Sequence, residues 1–227
     1  VGPYPKALIV PHAGYAYSGP VAASGYRLLE PIRHMVERVV LLGPSHRVPF
    51  YGLAATGADE FSTPLGTVPI DTKLVSAALK LLQVHLLEEA HASEHSLEVH
   101  LPFLQMTLDV FSLVPIAVGT ATASEVGEVL ELLWDETQTL IVISSDLSHF
   151  QDYSTARGID SETAQLIERC RWRQLTSDRA CGYAGIRGLL KVAQERGLHV
   201  KTVDLRNSGD TAGPKDRVVG YGSFVVF

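Results

Sequence analysis

Short runs of consecutive apolar residues recur along the chain and predict the strands of a buried sheet. Val39–Leu42 and Leu140–Ile143 consist only of leucine and β-branched residues. Runs of this kind are typical of parallel strands that are covered on both faces. The same pattern predicts further strands at Ala7–Val10, Leu113–Val118, Val200–Leu205 and Gly220–Phe227.

Apolar residues at helical spacing lie between these runs and predict amphipathic helices. Pro20 is expected to be the first residue of one helix, and Asp71 and Ser124 are expected to cap two others. Apolar residues that would share one face predict three further helices. These residues are Leu97, Leu101, Leu104 and Leu108 in the first; Ile159, Leu166, Ile167 and Cys170 in the second; and Ile186, Leu189, Leu190 and Ala193 in the third. Residues 50–70 are rich in Gly, Thr and Pro and predict a hairpin or a long loop.

Strands that alternate with helices predict the α/β class. We expect a three-layer α/β/α sandwich with a central, mostly parallel sheet. No repeat or linker-like segment interrupts the pattern, so the sequence predicts one domain over residues 1–227. A chain of this length buries enough surface to fold without a structural metal or disulfide.

Composition excludes several functional classes. The chain is 46% hydrophobic and has a net charge of −6, and its basic residues form no run longer than a pair. A nucleic-acid groove, a membrane-binding surface, a membrane span and a signal peptide are therefore not expected. The two cysteines do not form a disulfide framework, which predicts a reducing, cytoplasmic location. Because the chain does not begin with methionine, we expect that its N-terminus was trimmed.

Three of the predicted strands lead directly into turns that carry histidines. The runs that end at residues 10, 42 and 143 are followed by His12, His46 and His149, the last together with Asp146. Ligands of open α/β sheets bind at the carboxyl ends of the strands, so these side chains are expected to converge. Imidazole binds metals and transfers protons near neutral pH. The alternative is that they are ordinary loop histidines.

Cys181 is the next candidate ligand. Asp178 is expected to cap a helix, which would place Cys181 in its first turn. The partial positive charge at a helix N-terminus lowers the pKa of a thiol and favours the thiolate, which is the form that binds metals. The alternative is a small buried residue, as we expect for Cys170.

The segment from His91 to His100 is dense in side chains that can bind a metal. On a helix, Glu94 and Glu98 would share a face that could meet a metal or a substrate. The alternative, which the spacing alone slightly favours, is a polar helix end with its leucines inward.

Residue types also allow a serine hydrolase that uses Ser45 with His149 and Asp146, but no GxSxG turn surrounds a serine.

Five motifs occur in an order that resembles the Memo family, and the resemblance runs over nearly the whole chain. They are Pro11-His-Ala-Gly-Tyr-Ala-Tyr-Ser-Gly, Gly43-Pro-Ser-His, Glu94-His-Ser-Leu-Glu-Val-His-Leu-Pro-Phe, Ser144-Ser-Asp-Leu-Ser-His-Phe and Ala180-Cys-Gly. Bacterial and archaeal members are often called AmmeMemoRadiSam system protein B. The family is similar to the class III extradiol dioxygenases, which implies their fold. Many members begin with an extra strand and helix, so this chain is expected to be a short or trimmed member.

The resemblance implies roles for the matched residues. His12 and His46 match the metal-binding histidines, and Cys181 matches the cysteine that replaces the carboxylate ligand of the dioxygenases. His149 matches the acid/base histidine, and Asp146 lies beside it. Because Asp146 and His149 are three residues apart, we expect a turn in which Asp146 accepts a hydrogen bond from one ring nitrogen of His149 and leaves the other free for proton transfer.

The family's helix motif contains three more of the candidate residues. Glu94, Glu98 and His100 are expected to line the site, where they would contact the substrate or support the ligands.

The implied function is that of a metal-dependent oxidoreductase related to the non-haem dioxygenases. Fe(II) is the expected metal, although copper and zinc also suit a His₂Cys set. The cysteine in place of the carboxylate weakens the case for ring cleavage itself. A non-catalytic metal- or peptide-binding module and a metal-dependent hydrolase remain alternatives. The substrate would be a small molecule or a peptide, and the bacterial family name implies a radical SAM enzyme and an AMMECR-type protein as partners.

Overall fold

The computed structural model of the protein describes residues 4–135 and 137–227. Within those residues, nine strands form one sheet and two more, β4 and β5, form a separate hairpin. The strands are β1 Ala7–Val10, β2 Arg38–Pro44, β3 Leu53–Ala55, β4 Glu60–Thr63, β5 Gly66–Pro69, β6 Val84–Leu86, β7 Ser112–Val118, β8 Thr139–Ser144, β9 His149–Gln151, β10 Val200–Asn207 and β11 Val218–Val226.

The centre of the sheet consists of four parallel strands in the order β1-β8-β2-β7. Antiparallel strands flank them, with β11 next to β1 and β3 next to β7. The predicted central, mostly parallel sheet is therefore confirmed. Its order places the carboxyl ends of β1, β8 and β2 side by side, which is where such sheets bind ligands.

Helices cover both faces of this sheet. They are α1 Tyr15–Tyr26, α2 Thr72–Ala78, α3 Glu89–Ala92, α4 Leu101–Thr107, α5 Ala123–Leu133, α6 Tyr153–Glu168 and α7 Tyr183–Glu195. Alternate residues of a strand point to opposite faces, and in β1 Ala7 and Ile9 join one apolar core while Leu8 and Val10 join the other. Helices α2, α5, α6 and α7 contribute to the first core and α1 and α4 to the second, which confirms the three-layer sandwich.

Two helix starts differ from the predicted ones. Helix α1 begins at Tyr15, so Pro20 lies inside it. The fixed φ of proline is compatible with a helix, and the cost is one missing backbone hydrogen bond. Thr122 caps α5 in place of Ser124, because the Thr122 hydroxyl and the Glu125 carboxylate accept each other's backbone N–H.

Other local predictions had mixed outcomes. Asp71 does cap α2, since its Oδ1 accepts the backbone N–H of Leu74 at 3.0 Å. The hairpin predicted within residues 50–70 is present as β4 and β5. Cys170 lies beyond the end of α6, with a positive φ of 50°, and not on the helix itself. Among the described residues, no helix is long and apolar enough to cross a membrane.

Candidate metal centre

The structure brings three of the predicted ligands together at the carboxyl edge of the sheet. His12 follows β1, His46 follows β2, and Cys181 lies in the turn before α7. One nitrogen of each imidazole and the Sγ atom of Cys181 all lie within 4.8 Å of one another. Ligand atoms about 2.0–2.3 Å from a shared ion would have a similar spacing. The arrangement is therefore compatible with one bound metal ion.

His12 is the most deeply buried of these three residues. It is 2% exposed, and its Nε2 lies 3.5 Å from Cys181 Sγ. On the other side of the ring, Nδ1 lies 2.6 Å from Ser144 Oγ. Burial, and to a smaller extent the neighbouring ring of His46, lower the pKa of His12 to about 3. The imidazole is therefore neutral at physiological pH, which is the form that binds metals.

The environment of Cys181 differs from the prediction. Gly182, and not Asp178, caps α7, so Cys181 precedes the helix. Its Sγ accepts the backbone N–H of Asp146 at 3.3 Å. Burial and then the negative charge of Asp146 raise the pKa of the Cys181 thiol to about 12, so the expected lowering of that pKa is wrong. A metal bound here would have to displace the thiol proton.

Asp146 lies beside the ligands without the expected bond to His149. Its Oδ1 accepts the backbone N–H groups of His12 at 2.9 Å and Ala13 at 3.3 Å. His149 begins β9 and pairs with Val219, and no hydrogen bond between described residues joins it to Asp146. Burial raises the pKa of Asp146, and the hydrogen bond from the His12 backbone, followed by the nearby His149, partly opposes that rise. Asp146 thus holds the His12 turn, while His149 lies near the site on a separate strand.

Glu94 supports His46. Its Oε1 lies 3.0 Å from His46 Nδ1, and its Oε2 accepts the His46 backbone N–H at 2.6 Å. Oε1 also accepts the backbone N–H groups of His95 at 2.9 Å and Ser96 at 3.0 Å. Burial by itself would raise the pKa of Glu94, but the hydrogen bonds from His46 and Ser96 outweigh it and lower that pKa to about 2.

His100 supports His12 through Ser144. The Nε2 atom of His100 lies 2.8 Å from Ser144 Oγ, and its Nδ1 lies 2.9 Å from the hydroxyl of Tyr26. Burial lowers the pKa of His100 to about 3, so this imidazole is also neutral. Ser144 and Tyr26 are site residues that the spacing of the sequence did not indicate, although Ser144 begins one of the family motifs.

Glu98 lies apart from these contacts. The segment is not one helix, since α3 ends at Ala92 and a short 3₁₀ turn covers Glu98–His100. Glu98 is exposed and lines a cavity of about 350 Å³ together with Glu88, His91 and Glu94, so the two carboxylates share a cavity although they do not share a helix.

His95 lies beside the ligands, in the segment that the sequence marked as dense in possible metal ligands, and one of its nitrogens lies within 4.8 Å of donor atoms of His46 and Glu94. Its ring centroid lies 5.7 Å from that of His12 and 5.6 Å from that of His46, on which it stacks. Its side chain is 47% exposed, and its Nδ1 lies 3.6 Å from Glu94 Oε1. The available signal was its position next to Glu94 in the family motif.

A cavity of about 250 Å³ opens next to Cys181, between the ends of β2, β7 and β8 and the start of α7. Its larger lining side chains are Leu42, Val48, Phe50, Val118, Ile143 and Tyr183. No charged side chain is among the described residues that line it. Uncharged walls of this kind suit a small, uncharged part of a ligand.

Fold and site together define a three-layer α/β protein with metal-ligand side chains at its strand ends. Residues 2–225 match the family of Memo-like proteins. A MEMO1 family protein of Aquifex aeolicus (strain VF5) is 37% identical over 231 residues, covering 96% of this chain and 84% of the relative. One of Saccharolobus solfataricus is 35% identical over 228 residues, covering 94% and 80%. The chain belongs to the Memo family, as its motifs predicted.

One solved structure with a similar fold is the crystal structure of an uncharacterized protein from Escherichia coli K12. Its TM-score is 0.58 at 15% sequence identity, and the alignment covers 96% of this chain and 98% of that one. Similarity at this level of identity concerns the fold alone.

Proposed function

We propose that this Memo-family protein binds one transition metal ion through His12, His46 and Cys181 and uses it to oxidise a small molecule or a peptide. The observation that supports this proposal is that the three donor atoms lie within 4.8 Å of one another. The three residues come from distant parts of the chain and meet at the edge of the sheet where α/β proteins bind ligands.

The surrounding residues prepare the ligands in different ways. Burial lowers the pKa of His12 and so keeps its ring neutral, and the Asp146 carboxylate holds the turn that carries it. Glu94 binds both the backbone and the ring of His46. Bound Fe(II), the metal we favour over copper, would supply one-electron redox chemistry toward dioxygen.

We assign proton transfer to His149. It is half-buried, and it lies close enough to the site to contribute to lowering the pKa values of both His12 and Asp146. An imidazole near the ligands that makes no hydrogen bond to a carboxylate of the described residues can give a proton to a substrate or take one from it. The cavity next to Cys181 would hold the uncharged part of that substrate. The radical SAM and AMMECR-type partners and the cytoplasmic location stay predictions.

A non-catalytic peptide-binding module is the second candidate, and exposed aromatic side chains favour it. Tyr15 and Tyr17 follow His12 closely in the chain and are 51% and 43% exposed. Phe150 follows His149 and is 60% exposed. Exposed rings of this kind are frequent where a protein binds a peptide.

Metal content, measured by mass spectrometry after anaerobic purification from the native host, tests the proposal. Stoichiometric iron or copper is expected, and it should be lost in Cys181→Ser. Cys170→Ser is the matched control and should retain the metal, because Cys170 lies outside the candidate ligand set. Stoichiometric zinc would favour a hydrolase instead, and the absence of any metal would favour the binding module.

A further inference from the structure

We infer that the segment from Glu94 to His100 fixes both histidine ligands in one tautomer, with the proton on Nδ1 and the lone pair on Nε2. Ser144, His100 and Glu94 are then positioning residues. The inference rests on the proposed metal site, because it names the two nitrogen atoms that would bind the ion. It follows from two groups that can only accept hydrogen bonds, the backbone carbonyl of Ser96 and the carboxylate of Glu94.

On the His12 side, the backbone carbonyl of Ser96 determines which atom donates and which accepts in each hydrogen bond of Ser144. Ser144 Oγ lies 2.6 Å from that carbonyl oxygen, which has no proton to donate. The single hydroxyl proton of Ser144 therefore points to Ser96. The same Oγ lies 2.6 Å from His12 Nδ1, so it must accept from that nitrogen. His12 thus carries its proton on Nδ1.

The other contacts of this network agree with that assignment. Ser144 Oγ has a second lone pair, which accepts from His100 Nε2 at 2.8 Å. The remaining nitrogen of His100 is then an acceptor, and the hydroxyl of Tyr26 donates to it at 2.9 Å. At the opposite end, Cys181 Sγ lies 3.5 Å from His12 Nε2, where a thiol proton can meet a lone pair.

On the His46 side, the carboxylate of Glu94 has the same effect. Its two oxygens accept three backbone N–H groups, from His46, His95 and Ser96. An oxygen surrounded by donors accepts again from His46 Nδ1, at 3.0 Å. His46 therefore also carries its proton on Nδ1.

Ser96 connects the two arrangements. Its backbone N–H donates to Glu94, its carbonyl accepts from Ser144, and its hydroxyl donates to the carbonyl of Pro44 at 2.8 Å. Pro44 ends β2 and Ser144 ends β8, so one residue joins the two strand ends. Outer contacts of this kind orient metal-binding histidines in general, and their loss costs about 10- to 100-fold in metal affinity.

Nitrogen-15 NMR of the full-length, metal-free protein labelled at histidine tests the tautomers directly. We expect Nδ1 protonated and Nε2 unprotonated for both His12 and His46. Ser144→Ala should give His12 a mixture of tautomers and leave His46 unchanged. Glu94→Gln should do the reverse, because an amide can donate to the ring where the carboxylate only accepts.

Ser223→Ala is the matched control, since Ser223 is fully buried and, in the part of the chain that the structure describes, its hydroxyl has no hydrogen-bond partner. It should alter neither tautomer. The wild-type spectrum requires no variant to fold, and a proton on Nε2 of either histidine would overturn the inference. Unchanged tautomers in both Ser144→Ala and Glu94→Gln would overturn it as well.

Titration with Co(II) separates this inference from the proposed function. Ser144→Ala and Glu94→Gln should each weaken Co(II) binding about 10- to 100-fold, while Ser223→Ala should not. If the wild type shows the expected tautomers but binds no Co(II), the metal site is wrong and the tautomer assignment stands. If it binds Co(II) with the opposite tautomers, the metal site stands and the positioning roles are wrong.

Discussion

The two histidines of the candidate metal centre are held in different ways. His12 is 2% exposed. Its ring contacts Ser144, which also accepts from His100, and its backbone N–H donates to the buried carboxylate of Asp146. The side chain of His46 is 33% exposed, and a single carboxylate, that of Glu94, holds it. One ligand is therefore part of the core and the other belongs to a charged loop. Changes on the His12 side should affect both folding and metal binding, and changes on the His46 side mainly metal binding.

The largest expected effect comes from removal of either ring. His12→Ala and His46→Ala should both abolish stoichiometric metal binding. Only His12→Ala should strongly destabilise the metal-free protein, by about 2–4 kcal/mol, because it leaves a cavity in the core and removes one of the hydrogen bonds that Ser144 makes there. His46→Ala should change the free energy of unfolding by less than about 1 kcal/mol. Metal analysis and urea unfolding of the metal-free variants measure both effects.

The stability measurement and the metal analysis can each contradict this comparison of His12 with His46. Equal losses of stability in His12→Ala and His46→Ala would show that the two ligands are not held differently. Retention of the metal in both variants would show that these are ordinary loop histidines, as the alternative from the sequence allowed.

His149 belongs to neither side, and its replacement should separate metal binding from turnover. His149→Gln should keep the metal and reduce any turnover about 10²- to 10⁴-fold, as expected for an acid/base residue. Metal content and activity have to be measured on the same preparation. If His149→Gln loses metal as completely as His12→Ala, then His149 is a ligand and the assignment of proton transfer to it is wrong.

The position of His149 also shows where the sequence was insufficient. Its three-residue spacing from Asp146 suggested a turn with a hydrogen bond between the two side chains. In the structure, His149 instead begins β9 and pairs with Val219 of β11. That pairing joins residues far apart in the chain, so no local pattern could indicate it. Asp146 uses its carboxylate for the His12 turn.

The strands and the convergence of His12 with His46, by contrast, could be predicted from local patterns. The bounds of β1 are those expected, and the runs that end in histidine turns do lie side by side in the sheet. Ser96 and Tyr26 could not be predicted, because a serine or a tyrosine in a helical pattern has many ordinary roles. Only the fold shows that Ser96 connects two strand ends.

Two glycines extend the comparison to the backbone. A Cβ at Gly182 would collide with the carbonyl oxygen of Ser144, on the Cys181 side of the site. A Cβ at Gly43 would meet the tips of two side chains, Ser96 Oγ at 2.7 Å and Leu97 Cδ2 at 2.9 Å. Side-chain tips can move more easily than backbone. Gly182→Ala should therefore cost about 1–3 kcal/mol of stability, and Gly43→Ala less.

Gly158→Ala is the control for this pair, because a Cβ there has no neighbouring atom within 4 Å. It lies within α6, where alanine is favoured over glycine by about 1 kcal/mol. Thermal unfolding of the three variants shows which substitution costs the most stability and which the least. A greater loss in Gly43→Ala than in Gly182→Ala would show that the His46 side is the more rigid one.

The smallest expected effect is at the far end of the His12 network, at Tyr26. Tyr26→Phe removes only the hydroxyl that donates to His100 Nδ1. The loss of one buried hydrogen bond should cost about 1 kcal/mol of stability. Metal affinity should stay nearly unchanged, because Ser144 still donates to the carbonyl of Ser96 and still accepts from His12.

Tyr15→Phe is the matched control for Tyr26→Phe. Tyr15 is 51% exposed, and its hydroxyl donates to the carbonyl of Val99, so its replacement should change stability by less than about 0.5 kcal/mol. Urea unfolding and Co(II) titration of both variants test the expectation. If Tyr26→Phe weakens Co(II) binding as much as Ser144→Ala does, the buried hydrogen bonds act as one unit. It would then be wrong that Ser144 alone fixes the His12 ligand and that the more distant Tyr26 does not affect metal affinity.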